Sequence, residues 1–162
     1  MSIKVDMTSS DVDRQIELLK VYPELADKYY GPVLRKDVQI LKDMIIMDVP
    51  VRTGRSQKRL GSKVTGKGTS LTGEVGWYRK GDPFYIHFPE GGTKAHTIEP
   101  GKGHILHFFA KDRSEHFTRK SVSVKGTSAR GFVQNAWNRA QTMVTNDLAM
   151  ANEAIVRELA LP

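Results

Sequence analysis

The hydrophobic pattern near the C-terminus predicts the longest helix of the chain. Between residues 129 and 159, apolar side chains recur every three to five positions, which is typical of one face of a helix. These side chains are Phe132, Ala136, Ala140, Met143, Leu148, Ala151, Ile155 and Leu159. The pattern predicts either one long helix or a helix with a break near Thr145 and Asn146. The small side chains in it would permit close packing on a sheet or on another helix.

Two further helical patterns lie at the N-terminal end. Residues 11–22 predict a short helix. Residues 32–47 predict a stronger one, because their apolar side chains step by three or four positions and form a continuous stripe. Pro23 and Pro32 are expected to interrupt the helical pattern, and Pro50 is expected to end the second helix, since the residue before a proline is pushed out of the helical region.

The middle of the chain combines alternating apolar and polar residues with many glycines, which is typical of strands and turns. Two strands joined by a hairpin loop are predicted at 60–65 and 71–78, and three more strands are predicted at 85–88, 104–110 and 121–125. No crossover helix separates these runs, so we expect antiparallel pairing. The order of elements predicts an α+β fold, in which a small antiparallel sheet of about four to five strands packs against an N-terminal helix and a long C-terminal helix.

The length of 162 residues indicates a single domain. Its parts would be a helical region at 1–49, a strand-rich basic region at 50–128 and the C-terminal helix at 129–160. No apolar run approaches the roughly 18 residues of a membrane span, and the first residues lack the apolar core of a secretory signal. There is no cysteine, which excludes disulfides and thiolate metal sites.

The net charge of +7 comes from the middle of the chain alone. Residues 51–130 hold 16 basic and 6 acidic side chains, a net charge of +10, whereas the flanking regions are slightly acidic. A polyanion or an acidic protein surface is the expected neighbour of such a segment. A solubilising basic face is the alternative. Contact with DNA would be independent of base sequence, because no helix-turn-helix or RNA-binding signature is visible.

The stretch from Phe88 to Phe108 holds three of the five histidines, which raises the question of a metal site. On a strand, however, His104 and His107 would point to opposite faces, because the side-chain period is two. No zinc-type ligand spacing such as two histidines four apart is present. The stretch is better interpreted as turn chemistry at 90–93 and 99–103, which shapes a protruding loop that we expect to touch a partner subunit.

Catalytic patterns are also weak. Gly61 to Lys67 has the glycine and lysine spacing of a phosphate-binding loop, but Gly68 stands where a magnesium-binding hydroxyl is required. No nucleophile elbow and no paired carboxylates are apparent. The sequence therefore predicts a protein without catalytic activity, cofactor or metal.

Three segments together resemble a known family. Pro50-Val-Arg-Thr-Gly-Arg55 is similar to a Pro-Val-Asp-Thr-Gly-Arg connector. The block from Tyr85 to His96 is similar to Tyr-Ala-x-x-x-Glu-Phe-Gly-Thr-x-x-His, and the block from Gly126 to Ala136 is similar to Gly-Thr-x-Ala-Arg-Pro-Phe-Leu. All three patterns occur, in this order, in the gene-ten-like tail-completion (neck) proteins of long-tailed bacteriophages. The resemblance covers roughly residues 34–140.

The chain departs from the family pattern in several places, and the Pro and Phe positions near Glu90 are rearranged. Arg52 replaces an acidic residue, Gly91 an aromatic residue and Gly131 a proline. These departures leave the related tail-terminator proteins, which cap the tail tube, as an alternative. A non-specific nucleic-acid-binding module is the alternative from another class.

The resemblance implies a structural virion protein that is made in the host cytoplasm and assembles as a homo-oligomeric ring. Its partners would be the connector or head-completion protein on one side and a tail or tail-terminator protein on the other, without membrane contact. The residues expected to contact a partner subunit are Thr53, Gly54, Arg55, Glu90, Gly92, Thr93, Lys102, Arg130 and Phe132. Those expected to face DNA in the channel are Lys58, Arg59, Lys63 and Lys67.

Overall fold

The computed structural model describes residues 9–51, 53–109 and 112–160. They form two compact units. The helical unit consists of the described residues up to Pro83 together with those from Phe132 on, and the ribbon unit is Phe84–Gly131. Two compact units can belong to one domain if they unfold together in a single transition. The single domain therefore stays a prediction.

Four α-helices and six strands are present in the part of the chain that the structure describes. The helices are α1 (Ser9–Asp48), α2 (Arg55–Arg59), α3 (His87–Gly91) and α4 (Phe132–Ala160). The strands are β1 (Gly61–Thr65), β2 (Thr72–Gly76), β3 (His96–Ile98), β4 (Leu106–Phe109), β5 (Glu115–Thr118) and β6 (Val122–Val124). Short 3₁₀ turns lie at Gly68–Ser70 and Phe84–Ile86. The fold is α+β, as the sequence predicts.

The helical unit is built on an antiparallel pair, α1 and α4. Polar side chains join the two helices along their length, and the partners of successive α1 residues run backwards along α4. These pairs are Lys28–Glu158, Tyr30–Asn152, Lys36–Asp147 and Asp48–Arg139. The core of the helical unit consists mostly of small and branched side chains, including Ala26, Val38 and Ile45 from α1 and Ala136, Ala140 and Ile155 from α4. The alanines allow the close approach that the sequence pattern indicates.

The prediction of two N-terminal helices is wrong, because α1 is continuous and contains both Pro23 and Pro32. A proline inside a helix loses one hydrogen bond and crowds the preceding turn. Contacts with α4 lie on both sides of Pro32, since Lys28 binds Glu158 before it and Lys36 binds Asp147 after it, and this packing compensates the local cost. Helix α1 ends at Asp48, and the predicted end before Pro50 is therefore confirmed. Helix α4 is also unbroken across Thr145 and Asn146.

The predicted hairpin is confirmed. Strands β1 and β2 pair antiparallel from Gly61 opposite Gly76 to Thr65 opposite Thr72. This hairpin packs on α1. At Gly73, an added Cβ would lie 2.6 Å from the Cγ1 atom of Val38, so the missing side chain lets the strand approach the helix.

The ribbon unit contains two separate two-stranded antiparallel ladders, β3 with β6 and β4 with β5. The described strands therefore form three short ladders and not one sheet of four to five strands. The strand predicted at 85–88 is wrong, because this segment forms a 3₁₀ turn and then α3. Pro89 offers no N–H group to a ladder and has a backbone angle suited to the first turn of a helix. Strands β3 and β5 were not predicted.

Candidate functional site

Two segments of the family resemblance meet in the ribbon unit. Thr93 N–H donates to the carbonyl of Thr127 at 2.9 Å, and Thr127 N–H donates back to Thr93 at 3.0 Å. Farther along, Arg130 N–H donates to the carbonyl of Pro89 at 2.9 Å, and Gly131 N–H donates to that of Glu90 at 3.1 Å. We call this contact between residues 89–93 and 126–131 the junction. It brings together four of the predicted contact residues: Glu90, Gly92, Thr93 and Arg130.

Glycine is required on both sides of the junction. An added Cβ at Gly126 would lie 2.2 Å from the carbonyl oxygen of Thr93, which is backbone and cannot move away alone. Gly92 has φ of 73°, and an added Cβ there would lie 2.7 Å from backbone atoms of Thr127 and Ala129. By contrast, Gly91 has nothing within 4 Å. Two glycines of the family pattern, Gly92 and Gly126, therefore stand where the backbone pairing leaves no room for a side chain.

The connector after α1 leads directly into α2. Gly54 adopts the left-handed conformation, which favours glycine, with φ of 70°, and it stands at the N-terminus of α2. Thr53 is exposed, and its hydroxyl lies 3.5 Å from the backbone N–H of Arg55. The helix itself was not predicted, because its five residues carry no apolar periodicity.

Two of the predicted site residues, Arg55 and Arg59, hold a neighbouring turn in place. The guanidinium of Arg55 donates to the carbonyl of Gly81 at 3.2 Å. That of Arg59 donates to Asp82 at 2.9 Å and to the carbonyl of Lys80 at 2.8 Å. Asp82 also accepts from the backbone N–H of Arg79 at 2.6 Å. Arg59 therefore has a structural role in addition to any role toward DNA.

The remaining basic residues of the DNA hypothesis differ in their surroundings. Lys58 and Lys67 are exposed, Lys67 at the tip of the β1–β2 hairpin. Lys63 pairs with Glu74 at 2.9 Å and lies 4.7 Å from the centre of the Tyr78 ring. Its charge is therefore partly neutralised within the hairpin, and it is the weakest of the four candidates.

Phe132 corrects the contact hypothesis. Its side chain is 2% exposed and packs edge-to-face on Trp77, with ring centroids 6.3 Å apart. It begins α4 and belongs to the core of the helical unit, so it is not a surface for a partner. The indole N–H of Trp77 donates to the carbonyl of Ser56 at 2.8 Å, which ties α2 to the same core.

The loop at 99–103 is a tight turn with exposed residues, as predicted. His104 N–H donates to the carbonyl of Gly101 at 2.9 Å, and Lys102 stands exposed between them. His104 lies before β4, whereas His107 lies within it and pairs with Glu115 at 2.6 Å. Among the residues that the structure describes, no group of three or more histidine and carboxylate side chains could hold a metal ion.

Aromatic rings cover both sides of the β4–β5 ladder. His107 stacks on its cross-strand partner Phe117, with ring centroids 4.6 Å apart, and Phe108 stacks on His116 at 5.4 Å. The Phe109 and Phe117 side chains are each 65% exposed. The ladder therefore presents large apolar side chains to solvent, and an isolated two-stranded ladder is only marginally stable in water.

Helix α1 contains a buried carboxyl group that was not predicted from the sequence. Asp37 is 3% exposed, and neither of its carboxylate oxygens has a hydrogen-bond donor. Burial raises the pKa of Asp37, and the nearby charge of Asp147 raises it further. The hydrogen bond from Lys36, at 2.6 Å, lowers the pKa of Asp147. The signal in the sequence was the position of Asp37, three residues after Leu34 and four before Leu41 on the apolar stripe.

Comparisons of the chain with protein-family models, with curated proteins and with solved structures return no match. Within the described residues, no helix has the length and apolar character needed to cross a membrane.

Proposed function

We propose that the chain is a structural bacteriophage protein of the neck or tail-completion type, which joins the head connector to the tail as part of a homo-oligomeric ring. The observation that carries this proposal is the junction. Two of the three segments that resemble the family lie far apart in the sequence, yet they pair through their backbones, with glycine at the closest approaches. Two of the three resembling segments thus coincide with one structural feature, while the third, residues 50–55, forms the connector before α2.

The exposed aromatic rings of the ribbon unit add support for an assembling protein. A ring requires heterologous contacts, in which one surface of a subunit meets a different surface of its neighbour. Phe109 and Phe117 on the β4–β5 ladder supply one apolar surface of this kind. The helical unit exposes apolar side chains of its own, such as Met47, Met150 and Val156.

Two alternatives remain proposals of lower rank. A tail-terminator protein would use the same kind of ring but would bind the tail tube directly. A non-specific nucleic-acid-binding module is favoured by the basic side chains around α2, which are exposed in the isolated chain.

Immunogold labelling of virions from the phage that encodes the chain tests the proposal. We expect the label at the joint between head and tail, and the genes beside this one should encode portal, connector and tail-tube proteins. Label elsewhere, or virions without the protein, would contradict the proposal. Size-exclusion mixing with the connector protein and, separately, with the tail-tube protein distinguishes the neck type from the tail terminator, because each should form a complex with its own neighbour.

A further inference from the structure

One face of α2 carries three basic side chains. Lys58 and Arg59 follow Arg55 by three and four residues, so each of them neighbours Arg55 on the helix surface. The opposite side is fixed in the protein, because Ser56 is buried and its carbonyl accepts from the Trp77 indole. The basic face is therefore held in one orientation by packing on the other side.

The turn that Arg55 and Arg59 hold brings two more cations to the same place. Arg79 and Lys80 are exposed on this turn. The resulting α2 basic cluster consists of Arg55, Lys58, Arg59, Arg79 and Lys80. Its one internal acid is Asp82, whose side chain is 9% exposed and paired with Arg59. Five basic groups against one acidic group leave a net charge of +4.

We propose that the α2 basic cluster binds the phosphate backbone of duplex DNA without reading its base sequence. Guanidinium and ammonium groups bind phosphate oxygens through charge-assisted hydrogen bonds. Contacts of this kind position a protein on DNA but carry no sequence information. The sequence predicts a DNA contact at Lys58, Arg59, Lys63 and Lys67. The structure keeps the first two of these residues in the cluster and adds Arg79 and Lys80 from a separate segment, which the side chains of Arg55 and Arg59 bind.

The surroundings of the cluster favour duplex DNA over a single strand. Binding of single strands uses aromatic rings on which bases stack. Here the Trp77 ring is partly buried and packs on Phe132, and Lys63 lies over the ring of Tyr78. One face of the Tyr78 ring is therefore already occupied by a cation, and the Trp77 ring is only partly accessible.

The same surroundings disfavour an acidic protein as the partner. The centre of a protein interface is enriched in aromatic and apolar side chains and depleted in charged ones. The α2 basic cluster has the reverse composition, since its centre consists of arginine and lysine side chains and the paired Asp82. A polyanion backbone fits that composition better.

The role of this contact in the virion rests on the proposed function, because a neck ring encloses the DNA channel. Binding itself needs only the isolated chain, which makes the two proposals separable. A chain that enters virions but does not bind duplex DNA would remove this inference alone. A chain that binds DNA but never enters virions would remove the proposed function alone.

The test compares two triple variants of the full chain that carry the same net charge. K58Q/R79Q/K80Q removes three cations of the cluster whose side chains hold no part of the turn. K94Q/K102Q/K120Q removes three exposed cations of the ribbon unit and serves as the control. Fluorescence anisotropy measures binding to short duplexes of two unrelated sequences between about 50 and 200 mM salt.

The wild-type protein should bind both duplexes alike, with log K falling by about 0.9 per log unit of salt for each phosphate contacted. The cluster variant should lower the magnitude of that slope by about 2 to 3, and the control by less than about 1. Circular dichroism checks folding. If the triple variant fails to fold, K58Q alone should lower the slope by about 1.

Four results would overturn the proposal. They are equal losses in both triple variants, a wild-type slope near zero, tighter binding to a single strand of the same length, and retention on phosphatidylserine vesicles or polyglutamate in preference to duplex DNA.

Discussion

Thr93 and Thr127 lie 34 positions apart and are joined by both their backbones and their side chains. Each N–H group donates to the other carbonyl, and the two hydroxyl oxygens are 3.0 Å apart. His96 lies three residues after Thr93, and Val124 lies three residues before Thr127. These two residues pair in the β3–β6 ladder. The threonine pair therefore continues that ladder in register, and the junction is an extension of an antiparallel ladder.

Gly126→Ala should open the junction, because the new Cβ would meet the Thr93 carbonyl oxygen at 2.2 Å. We expect a loss of stability of about 1–3 kcal/mol, confined to the ribbon unit. Hydrogen exchange should show faster exchange of the Thr93 and Thr127 amides, while amides of α1 keep their protection. Gly91→Ala is the control. A Cβ atom at Gly91 would have nothing within 4 Å, so this substitution should leave the exchange rates of the Thr93 and Thr127 amides unchanged. Equal protection in both variants would contradict the role of the junction.

Phe132→Ala should destabilise the helical unit strongly, because the ring is buried against Trp77. Removing a buried phenylalanine side chain typically costs about 3–5 kcal/mol. The exposed Phe109→Ala should change stability by less than about 0.5 kcal/mol. Denaturant unfolding of both variants measures the difference. A small effect of Phe132→Ala would return this residue to the set of surface contact candidates.

The hairpin and the final helix could be predicted from the sequence because their signals are local. Strand alternation with a glycine-rich loop specifies the β1–β2 pairing, and regular apolar spacing specifies α4. Helix α1 could not be predicted as one element. Proline at 23 and 32 is a local signal for interruption, whereas the packing on α4 that overrides it depends on residues more than a hundred positions away.

The candidate site was predictable only in part, for a related reason. The family resemblance pointed to Glu90, Thr93 and Arg130, but pairing of their segments is a long-range property. Likewise, Arg79 and Lys80 gave no signal as part of a basic cluster, since it is the guanidinium groups of Arg55 and Arg59 that bind their turn. Phe132 was misassigned because an aromatic residue at the start of a helix has the same sequence pattern in a core as at an interface.

Phe109→Ser with Phe117→Ser should impair assembly without unfolding the protomer. Both rings are 65% exposed, so replacing them removes little buried area within the chain. If a neighbouring subunit covers them, the double variant should be excluded from rings or virions. Negative-stain electron microscopy and virion composition measure this, with Phe84→Ser, an exposed ring outside the strands, as the control. Normal incorporation of the double variant would show that this face is not an interface.

Asp37→Asn should stabilise the protein near neutral pH and flatten its pH dependence. The folded state raises the pKa of Asp37, so its proton is bound more tightly there than in the unfolded chain, where the pKa is about 3.9. Its contribution to stability is therefore fully present below about pH 4 and is lost as pH rises through the raised value. The contribution of Asp147 to stability changes with pH in the opposite direction. Its lowered pKa gives stability that is lost only as pH falls below about 4.

The two carboxyl groups thus act in different pH ranges, and the range above about pH 4 reports on Asp37. As a carboxylic acid, Asp37 can donate a hydrogen bond to Asp147, and the amide of asparagine can donate in the same way at every pH. We expect Asp37→Asn to gain about 1 kcal/mol at pH 7 and nothing near pH 4. Urea unfolding at several pH values measures this. Asp43→Asn is the control, because Asp43 is exposed on the same helix. A gain that does not grow with pH would contradict the buried-carboxyl argument.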